Sequence, residues 1–249
     1  MFNELLWPFA QLPDDYVVLD TETTGLPDEK GLPSIVTLGL VVVSNRAVVD
    51  AVEFSIRPEK QITSEAEAIH GISNEQAAGF ESLSSQWQSI LPYLDEQLIV
   101  IHNASFDWPI LSEQIALPGL EGQRLEQPRI KGIFCSQKAA IPWAQANQLK
   151  CSHRGPSLDT LTQALDVHSH RADQEGQHGA KVDSLQTADV VEALRSLAEK
   201  NGACEHRDLE DFLKPRIEAA RKGEFSDKTV DDIFDEAIQD QTTQDETNK

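Results

Sequence analysis

Two acidic residues stand directly after an apolar run near the N-terminus. In the segment VVLDTETTGLP, residues 17 to 27, Asp20 and Glu22 are two positions apart. Residues at this spacing on a strand point to the same face and lie roughly 6.6 Å apart along it. At the carboxyl end of a strand, where α/β sheets place their sites, both carboxylates would face one crevice. A polar strand end that runs into a turn is the alternative, because Asp, Thr and Gly favour turns.

Two later segments combine an acid with a histidine. HNASFD ends at Asp107, whose side chain could equally cap the helix that follows. HGAKVD spans His178 to Asp183, and five residues along a helix change the direction of a side chain by roughly 140°. We therefore expect His178 on a loop and Asp183 inside the next helix. The spacing alone is weak evidence, because His102 and Asp107 are also five residues apart, as are His168 and Asp173.

The combination of these residues predicts a metal site. Four carboxylates brought together repel by about 4 kcal/mol per pair at roughly 4 Å and an effective dielectric near 20, so they protonate or bind cations. Oxygen ligands favour Mg²⁺ or Mn²⁺, and two such ions suit the attack of water on a phosphodiester. A histidine with a pKa of about 6.5 is the natural general base for that reaction.

The motifs DTETTG, HNASFD and HGAKVD, in this order, resemble those of the DEDDh family of 3′-to-5′ exonucleases. The resemblance covers about residues 14 to 198. Within the family, the chain is similar to the group of the DNA polymerase III epsilon (proofreading) subunit and RNase T, and AIHGIS at 68 to 73 is similar to the HGI segment of that group. The resemblance implies a ribonuclease H-like fold and two divalent cations, Mg²⁺ or Mn²⁺, as cofactors.

The resemblance also implies roles for particular residues. The implied metal-binding acids are Asp20, Glu22, Asp107 and Asp183, and the implied general base is His178. The positions implied to line the pocket of the 3′-terminal nucleotide are Thr21, Thr23, Leu26, His70, Asn103 and Phe106. Among these, Leu26 would act as an apolar wedge against the terminal base. For Phe106, a role in the hydrophobic core is an equal alternative.

The elements that must position these residues form a mixed α/β fold. Strands rich in β-branched residues are predicted at 16–20, 35–43, 48–56 and 97–101, with a short fifth strand near 130–135. The short link at 44–46 makes the second and third strands antiparallel. We predict an α/β, ribonuclease H-like fold with a mixed five-stranded sheet, three antiparallel strands and then parallel additions, flanked by helices.

Helical periodicity predicts helices at 82–94, 105–115, 157–166 and 180–198. Pro109 is compatible with the second of these only in its first turn. Apart from the short fifth strand, the region from Ala116 to Gly155 is predicted to be irregular, because it contains several prolines and many glutamines.

Composition divides the chain into three parts. Residues 1–13 are predicted to be an N-terminal extension, 14–200 the exonuclease domain, and 201–249 an acidic tail that is partly helical or disordered. Within the tail, residues 217–238 faintly resemble the partner-binding ends of some small bacterial antitoxins. The same stretch could equally dock a polymerase, or it could be a solvated helix or disordered.

Composition also limits the class of protein. The 249 residues include 42 acids and 21 bases, for a net charge of -21. This balance argues against coating of long nucleic acid by a basic surface, but not against a site that engages one 3′ end through metal ions. No apolar run approaches the roughly 18 residues of a membrane helix, so we expect a soluble protein with no membrane partner. The N-terminus lacks a basic leader and the three cysteines form no CxxC pair, so we expect a cytoplasmic location.

These observations predict a metal-dependent 3′-to-5′ exonuclease that releases nucleoside monophosphates, with single-stranded DNA as the favoured substrate. An RNA 3′-end exoribonuclease is one alternative. A non-catalytic interaction protein on the same fold, with residues 201–249 as a partner-docking segment, is another. The presence of all four acids and the histidine favours the enzyme, because a binding module does not need a repulsive carboxylate cluster.

The CSH and HSH triplets at 151–153 and 168–170 have zinc-binding residue types, but their spacing matches no closed zinc pattern, so we expect solvated residues without a metal.

Two departures qualify the resemblance. The segments 143–154 and 170–177 lengthen the approach to His178. The acidic chain also lacks the obvious basic patch with which RNase T binds its substrate. We therefore do not assign the substrate specificity of RNase T to this chain.

Overall fold

The computed structural model describes residues 5–29, 31–117, 122, 124–172 and 178–200. The acidic tail predicted at 201–249 and most of the insertion-like segment at 170–177 lie outside the described residues. In the described ranges, no helix is both long enough and apolar enough to cross a membrane.

The centre of the fold is a five-stranded mixed sheet with the strand order β3-β2-β1-β4-β5. The strands are β1 (Tyr16–Thr23), β2 (Ile35–Ser44), β3 (Ala47–Ser55), β4 (Leu98–Ile101) and β5 (Gly132–Cys135). Strands β1, β2 and β3 pair antiparallel, whereas β4 runs parallel to β1 and β5 runs parallel to β4. The predicted sheet, including its short fifth strand, is confirmed.

Helices and a small hairpin surround this sheet. The helices are α1 (Trp7–Ala10), α2 (Ser64–His70), α3 (Asn74–Ala78), α4 (Leu83–Leu94), α5 (Ala104–Ala116), α6 (Ser136–Ala139), α7 (Ile141–Ala146), α8 (Leu158–Ala164) and α9 (Ala180–Lys200). The hairpin joins β6 (Cys151–Ser152) to β7 (Gly155–Pro156). Serines start two of the predicted helices, since the hydroxyls of Ser82 and Ser157 accept backbone N–H groups in the first turns of α4 and α8.

Side chains of β1 alternate between the two faces of the sheet. Tyr16 and Val18 pack in a cluster with residues of α9, whereas Val17 and Leu19 pack in a cluster with residues of α4 and α5. This alternation follows from the two-residue repeat of a strand. Both faces of the central strand are therefore covered, which explains why it reads as a continuous apolar run.

Two details of the prediction were wrong. Part of the region from Ala116 to Gly155 is regular, because it contains α6, α7 and most of the β6–β7 hairpin. These elements are too short to show a periodicity, and burial of residues such as Ala140 and Ala144 stabilises them. Pro109 lies in the second turn of α5 rather than the first, so the Ser105 carbonyl lacks its usual helical donor.

The N-terminal segment packs against the same core as the sheet. Leu6, Phe9 and Leu12 are buried together with residues of α9, and the ring of Phe9 meets that of Phe134 edge to face at 5.4 Å. The sequence did not predict this packing. The boundary near residue 14 stays a prediction.

Candidate active site

Strand β1 presents its two acids to helix α9. Asp20 and Glu22 point to the same face of β1 as Val18, which packs on the α9 side of the sheet. Thr21 points to the opposite face together with Leu19, which packs on the α5 side. The register between β1 and β2 shifts between Glu22 and Thr23, which marks the end of regular pairing beside the two acids.

Helix α5 brings Asp107 to the same strand end. Asp107 lies in the first turn of α5 and is 3% exposed. Its Oδ1 atom accepts hydrogen bonds from the Thr21 hydroxyl at 2.6 Å and from the Thr21 backbone N–H at 3.1 Å. The chain enters α5 through Asn103, whose left-handed backbone (φ 69, ψ 52) makes the sharp change of direction from strand to helix. Thr21 therefore holds Asp107 at the end of β1.

Helix α9 brings Asp183 to the opposite side of the strand end. Asp183 is 5% exposed in the first turn of α9, and His178 precedes the helix, as the spacing predicted. One ligand atom from each of Glu22, His178 and Asp183 lies within 4.8 Å of the others. In the part of the chain that the structure describes, this is the only group of three or more such side chains this close together.

Burial and mutual repulsion raise the pKa values of three acids. The pKa of Asp20 lies well above its usual range, because of burial and because of the nearby charges of Asp107, Asp183 and Glu22. Burial raises the pKa of Glu22 to about 7, with a further contribution from Asp183 and an opposing one from His178. Burial also raises the pKa of Asp107 to about 7, against the hydrogen bonds from Thr21. These effects show that all four acids lie within electrostatic range of one another.

Asp183 differs from the other acids because it has cationic partners. Burial opposes its ionisation, but hydrogen bonds from His178 and Arg171 lower its pKa below the usual range. The Nδ1 atom of His178 lies 3.4 Å from Oδ2 of Asp183, and this contact raises the pKa of His178. Arg171 was not among the site residues predicted from the sequence. The only feature that could have indicated it is its position in the insertion-like segment before His178.

The donor set fits hard divalent cations. It consists of buried carboxylate oxygens together with one imidazole nitrogen, and oxygen-rich sites favour Mg²⁺ or Mn²⁺. Burial, and to a smaller extent the charge of Asp183, raises the pKa values of Glu22 and Asp107, so the charged forms of these acids are disfavoured without a cation. A bound cation would supply the missing positive charge.

The predicted pocket residues have different environments. Leu26 is 76% exposed, which leaves it free to meet a ligand. The Thr23 hydroxyl donates to the carbonyl of Gly25 at 2.8 Å. Nδ1 of the buried His70 accepts the Ile72 N–H at 3.1 Å, and burial lowers the pKa of this histidine.

Two further predicted pocket residues, Asn103 and Phe106, lie at the start of α5. The Asn103 side chain accepts a hydrogen bond from the Ser105 hydroxyl at 2.9 Å. Phe106 is partly buried and packs against the cluster of α4 and α5. Contacts of any of these residues with a nucleotide stay a prediction.

Comparison with known proteins identifies the family. Residues 17–191 match the exonuclease family RNase_T, which is more than half of the chain. A separate match to the antitoxin ParD covers residues 188–238. The chain belongs to the exonuclease family and is a nuclease of the DEDDh 3′-to-5′ class, as the three motifs predicted.

Individual relatives agree with this assignment. The DNA polymerase III subunit epsilon of Rickettsia conorii is 33% identical over 182 residues, covering 72% of this chain and 72% of the relative. The PolC-type DNA polymerase III of Thermotoga petrophila is 28% identical over 203 residues. That match covers 82% of this chain, but this chain spans only 13% of the length of that polymerase.

A solved structure supports the fold. Exonuclease X in complex with 5′-overhanging duplex DNA has a TM-score of 0.50 and 21% identity to this chain. The match covers 73% of this chain and 92% of that chain. The mixed sheet flanked by helices is therefore a ribonuclease H-like fold.

Proposed function

We propose that the protein hydrolyses phosphodiester bonds at the 3′ end of nucleic acid, with single-stranded DNA as the favoured substrate, and releases nucleoside monophosphates. The observation that carries this proposal is the buried cluster of Glu22 and Asp183 beside His178. Asp20 and Asp107 lie within electrostatic range of that cluster. The names of the relatives, DNA polymerase III and its epsilon subunit, favour DNA over RNA.

Asp20, Glu22, Asp107 and Asp183 would together hold two divalent cations. When bound, such ions would lower the pKa of an attacking water and stabilise the charge that develops on the phosphate and leaving oxygens. The four side chains themselves are held by strand β1 and by the first turns of α5 and α9. Their geometry is therefore set by regular elements rather than by loops.

His178 would act as the general base. Its Nδ1 side faces Asp183, which leaves the lone pair of Nε2 available when the ring is neutral. The water oxygen bonds to phosphorus and one of its protons passes to Nε2. The bond from phosphorus to the 3′ oxygen of the preceding nucleotide breaks, and that oxygen takes up a proton from solvent. The products are a nucleoside 5′-monophosphate and a shortened chain that ends in a 3′ hydroxyl.

The direct test is a 5′-labelled single-stranded oligonucleotide incubated with Mg²⁺ or Mn²⁺. We expect a ladder that shortens from the 3′ end, disappears with a chelator and is absent for Asp20→Ala. Matched RNA and mismatched duplex DNA in the same assay decide the substrate class. Faster shortening of RNA would replace our proposal by the exoribonuclease alternative, and no shortening of any strand with either metal would overturn the proposal.

We also propose that residues 201–249 dock a polymerase or another protein partner. The match of residues 188–238 to an antitoxin family and the polymerase-associated names of the relatives support this idea. Pull-downs with the full chain and with a chain ending at residue 200 test it. Equal recovery of partners by both would contradict a docking role for the tail.

A further inference from the structure

Arg171 forms a two-pronged ion pair with one of the four acids. Its Nε atom donates to Oδ1 of Asp183 at 2.6 Å, and its Nη2 atom donates to Oδ2 of the same carboxylate at 2.5 Å. The Arg171 side chain is only 13% exposed, and that of Asp183 is 6% exposed. Both oxygens of Asp183 are therefore engaged by one largely buried guanidinium.

This ion pair occupies the carboxylate that a metal ion would need. A carboxylate ligand must turn a lone pair of at least one oxygen toward the cation, and the charge of the guanidinium would repel that cation at close range. Among the described residues, no arginine or lysine forms a comparable ion pair with Asp20, Glu22 or Asp107. Arg171 thus supplies positive charge where a divalent ion would otherwise supply it.

We propose that Arg171 is an internal counter-ion that holds Asp183 while no metal ion is bound there and releases this carboxylate when a cation binds. The inference rests on the proposed metal site. Arg171 then competes with the metal ion for the carboxylate of Asp183. The affinity of the free protein for metal is therefore lower than the four acids alone would give.

Asp159 gives Arg171 a second partner outside the cluster. The Nη1 atom of Arg171 donates to Oδ1 of Asp159 at 2.8 Å. Asp159 lies in the first turn of α8, and its side chain is 60% exposed. When Arg171 releases Asp183 it keeps this charged partner, so its release does not leave a bare cation inside the protein.

Metal binding without substrate tests the proposal. Mn²⁺ is titrated calorimetrically into the metal-free full chain and into Arg171→Gln. This substitution removes the positive charge and the two-pronged contact with Asp183. We expect the dissociation constant to fall by about tenfold or more in the variant, because its Mn²⁺ no longer has to displace a cation. Arg171→Lys keeps the charge but cannot bridge both oxygens, so we expect an intermediate value.

Arg195→Gln is the matched control. Arg195 is also a buried arginine in an ion pair, with Asp14 at 2.6 Å, but it lies away from the cluster. We expect this control to lose stability equally with chelator and with Mn²⁺, and to keep the Mn²⁺ affinity of the unaltered protein. Arg171→Gln should lose stability with chelator and regain it at saturating Mn²⁺, since the bound metal replaces the missing charge.

The outcomes separate the two proposals. An unchanged or weaker Mn²⁺ affinity in both Arg171 variants would overturn the counter-ion role and leave the metal site intact. If Mn²⁺ binds neither the unaltered protein nor Arg171→Gln, the metal site of the proposed function fails, and the counter-ion role fails with it. If Arg171→Gln does not fold, Arg171→Lys decides by the same measurement.

Discussion

Gly39 of strand β2 lies directly under Ala180, the first residue of helix α9. A Cβ atom at position 39 would come within 2.2 Å of the carbonyl carbon and oxygen of Ala180. Gly39 also pairs with Asp20 across the sheet, and its carbonyl accepts the Ser184 hydroxyl at 3.3 Å. The absence of a side chain at position 39 therefore lets the start of α9 rest on the sheet beside Asp20, which brings Asp183 into the cluster.

Replacement of this glycine should separate the acids. We expect Gly39→Ala to displace the first turn of α9, to cost about 1–3 kcal/mol of stability as an overpacked core site, and to weaken Mn²⁺ binding as well as activity. The loss of metal affinity distinguishes a positioning role from a general loss of stability. Gly79→Ala is the control, because its Cβ would be 3.4 Å from the nearest atom, the carbonyl oxygen of Gln76. Equal Mn²⁺ affinity in both variants would contradict the positioning role.

Loss of one acid should stabilise the metal-free protein while it abolishes function. Glu22→Gln keeps the shape of the side chain but removes a buried charge whose pKa is raised to about 7. At pH about 8 with chelator we expect the free energy of unfolding to rise by about 1 kcal/mol or more. Activity with Mn²⁺ should fall more than about a hundredfold, since loss of residues that only support ligands already has effects of that size.

The control for this substitution is Glu126→Gln, at an exposed position outside the cluster. We expect it to change neither the free energy of unfolding beyond about 0.5 kcal/mol nor the activity. Destabilisation of Glu22→Gln in chelator would show that the repulsion within the cluster has been misjudged.

His178→Ala should lose activity and keep the fold. The His178 side chain is 40% exposed, so its removal leaves no buried cavity, whereas loss of a general base costs about 10²- to 10⁴-fold in rate. His168→Ala is the matched control and should retain activity. Rate assays and thermal unfolding of both variants check this prediction. The reverse result would assign the role of general base to His168.

Leu26→Ala should weaken substrate binding without affecting stability. Leu26 is 76% exposed, so its removal should change stability by less than about 0.5 kcal/mol. If the side chain is buried against a terminal base, its loss should raise KM about tenfold or more. Val49→Ala, at a 61% exposed position on β3, should change neither quantity. An unchanged KM for Leu26→Ala would remove this residue from the pocket.

The metal-free protein should lose stability as the pH rises from about 4.5 through about 7. The pKa values of Glu22 and Asp107 are raised to about 7 in the folded state, above their ordinary values of 4.5 and 3.8. The folded state therefore binds more protons than the unfolded state in this window, so the free energy of unfolding falls as the pH increases. The raised pKa of His178 acts in the same direction, because the stability from its ion pair is lost as the ring deprotonates.

The lowered pKa of Asp183 acts only at lower pH, below its ordinary value of 3.8. Saturating Mn²⁺ should remove the loss between about pH 4.5 and 7, since the cation replaces the protons on the acids. Thermal unfolding from pH 5 to 8, with chelator and with Mn²⁺, measures the difference. If the difference in stability between the Mn²⁺ and chelator conditions is the same at every pH, the assigned pKa shifts are contradicted.

Local sequence patterns determined much of this protein. Two-residue alternation and β-branched composition predicted the strands, and the order of three acidic motifs predicted the residues that meet at one end of β1. His178 lies before α9 and Asp183 lies inside it, as the five-residue spacing required. The strand pattern and the spacing of His178 and Asp183 are local, because each depends on the geometry of a single strand or helix, whereas the set of four acids was predicted from the resemblance of three separate motifs to a family.

Only the tertiary structure decided the contacts that complete the cluster. Two such contacts are the approach of Ala180 to Gly39 and the two-pronged ion pair of Arg171 with Asp183. Both depend on how separate elements pack, and no short stretch of sequence carries that information. The short elements α6 and α7 were missed for the same reason, since packing rather than periodicity stabilises them. The sequence by itself predicted which acids could hold a metal. Only the fold decided that one of them, Asp183, pairs with Arg171, because ion pairing depends on distances between residues that the chain brings together only when it folds.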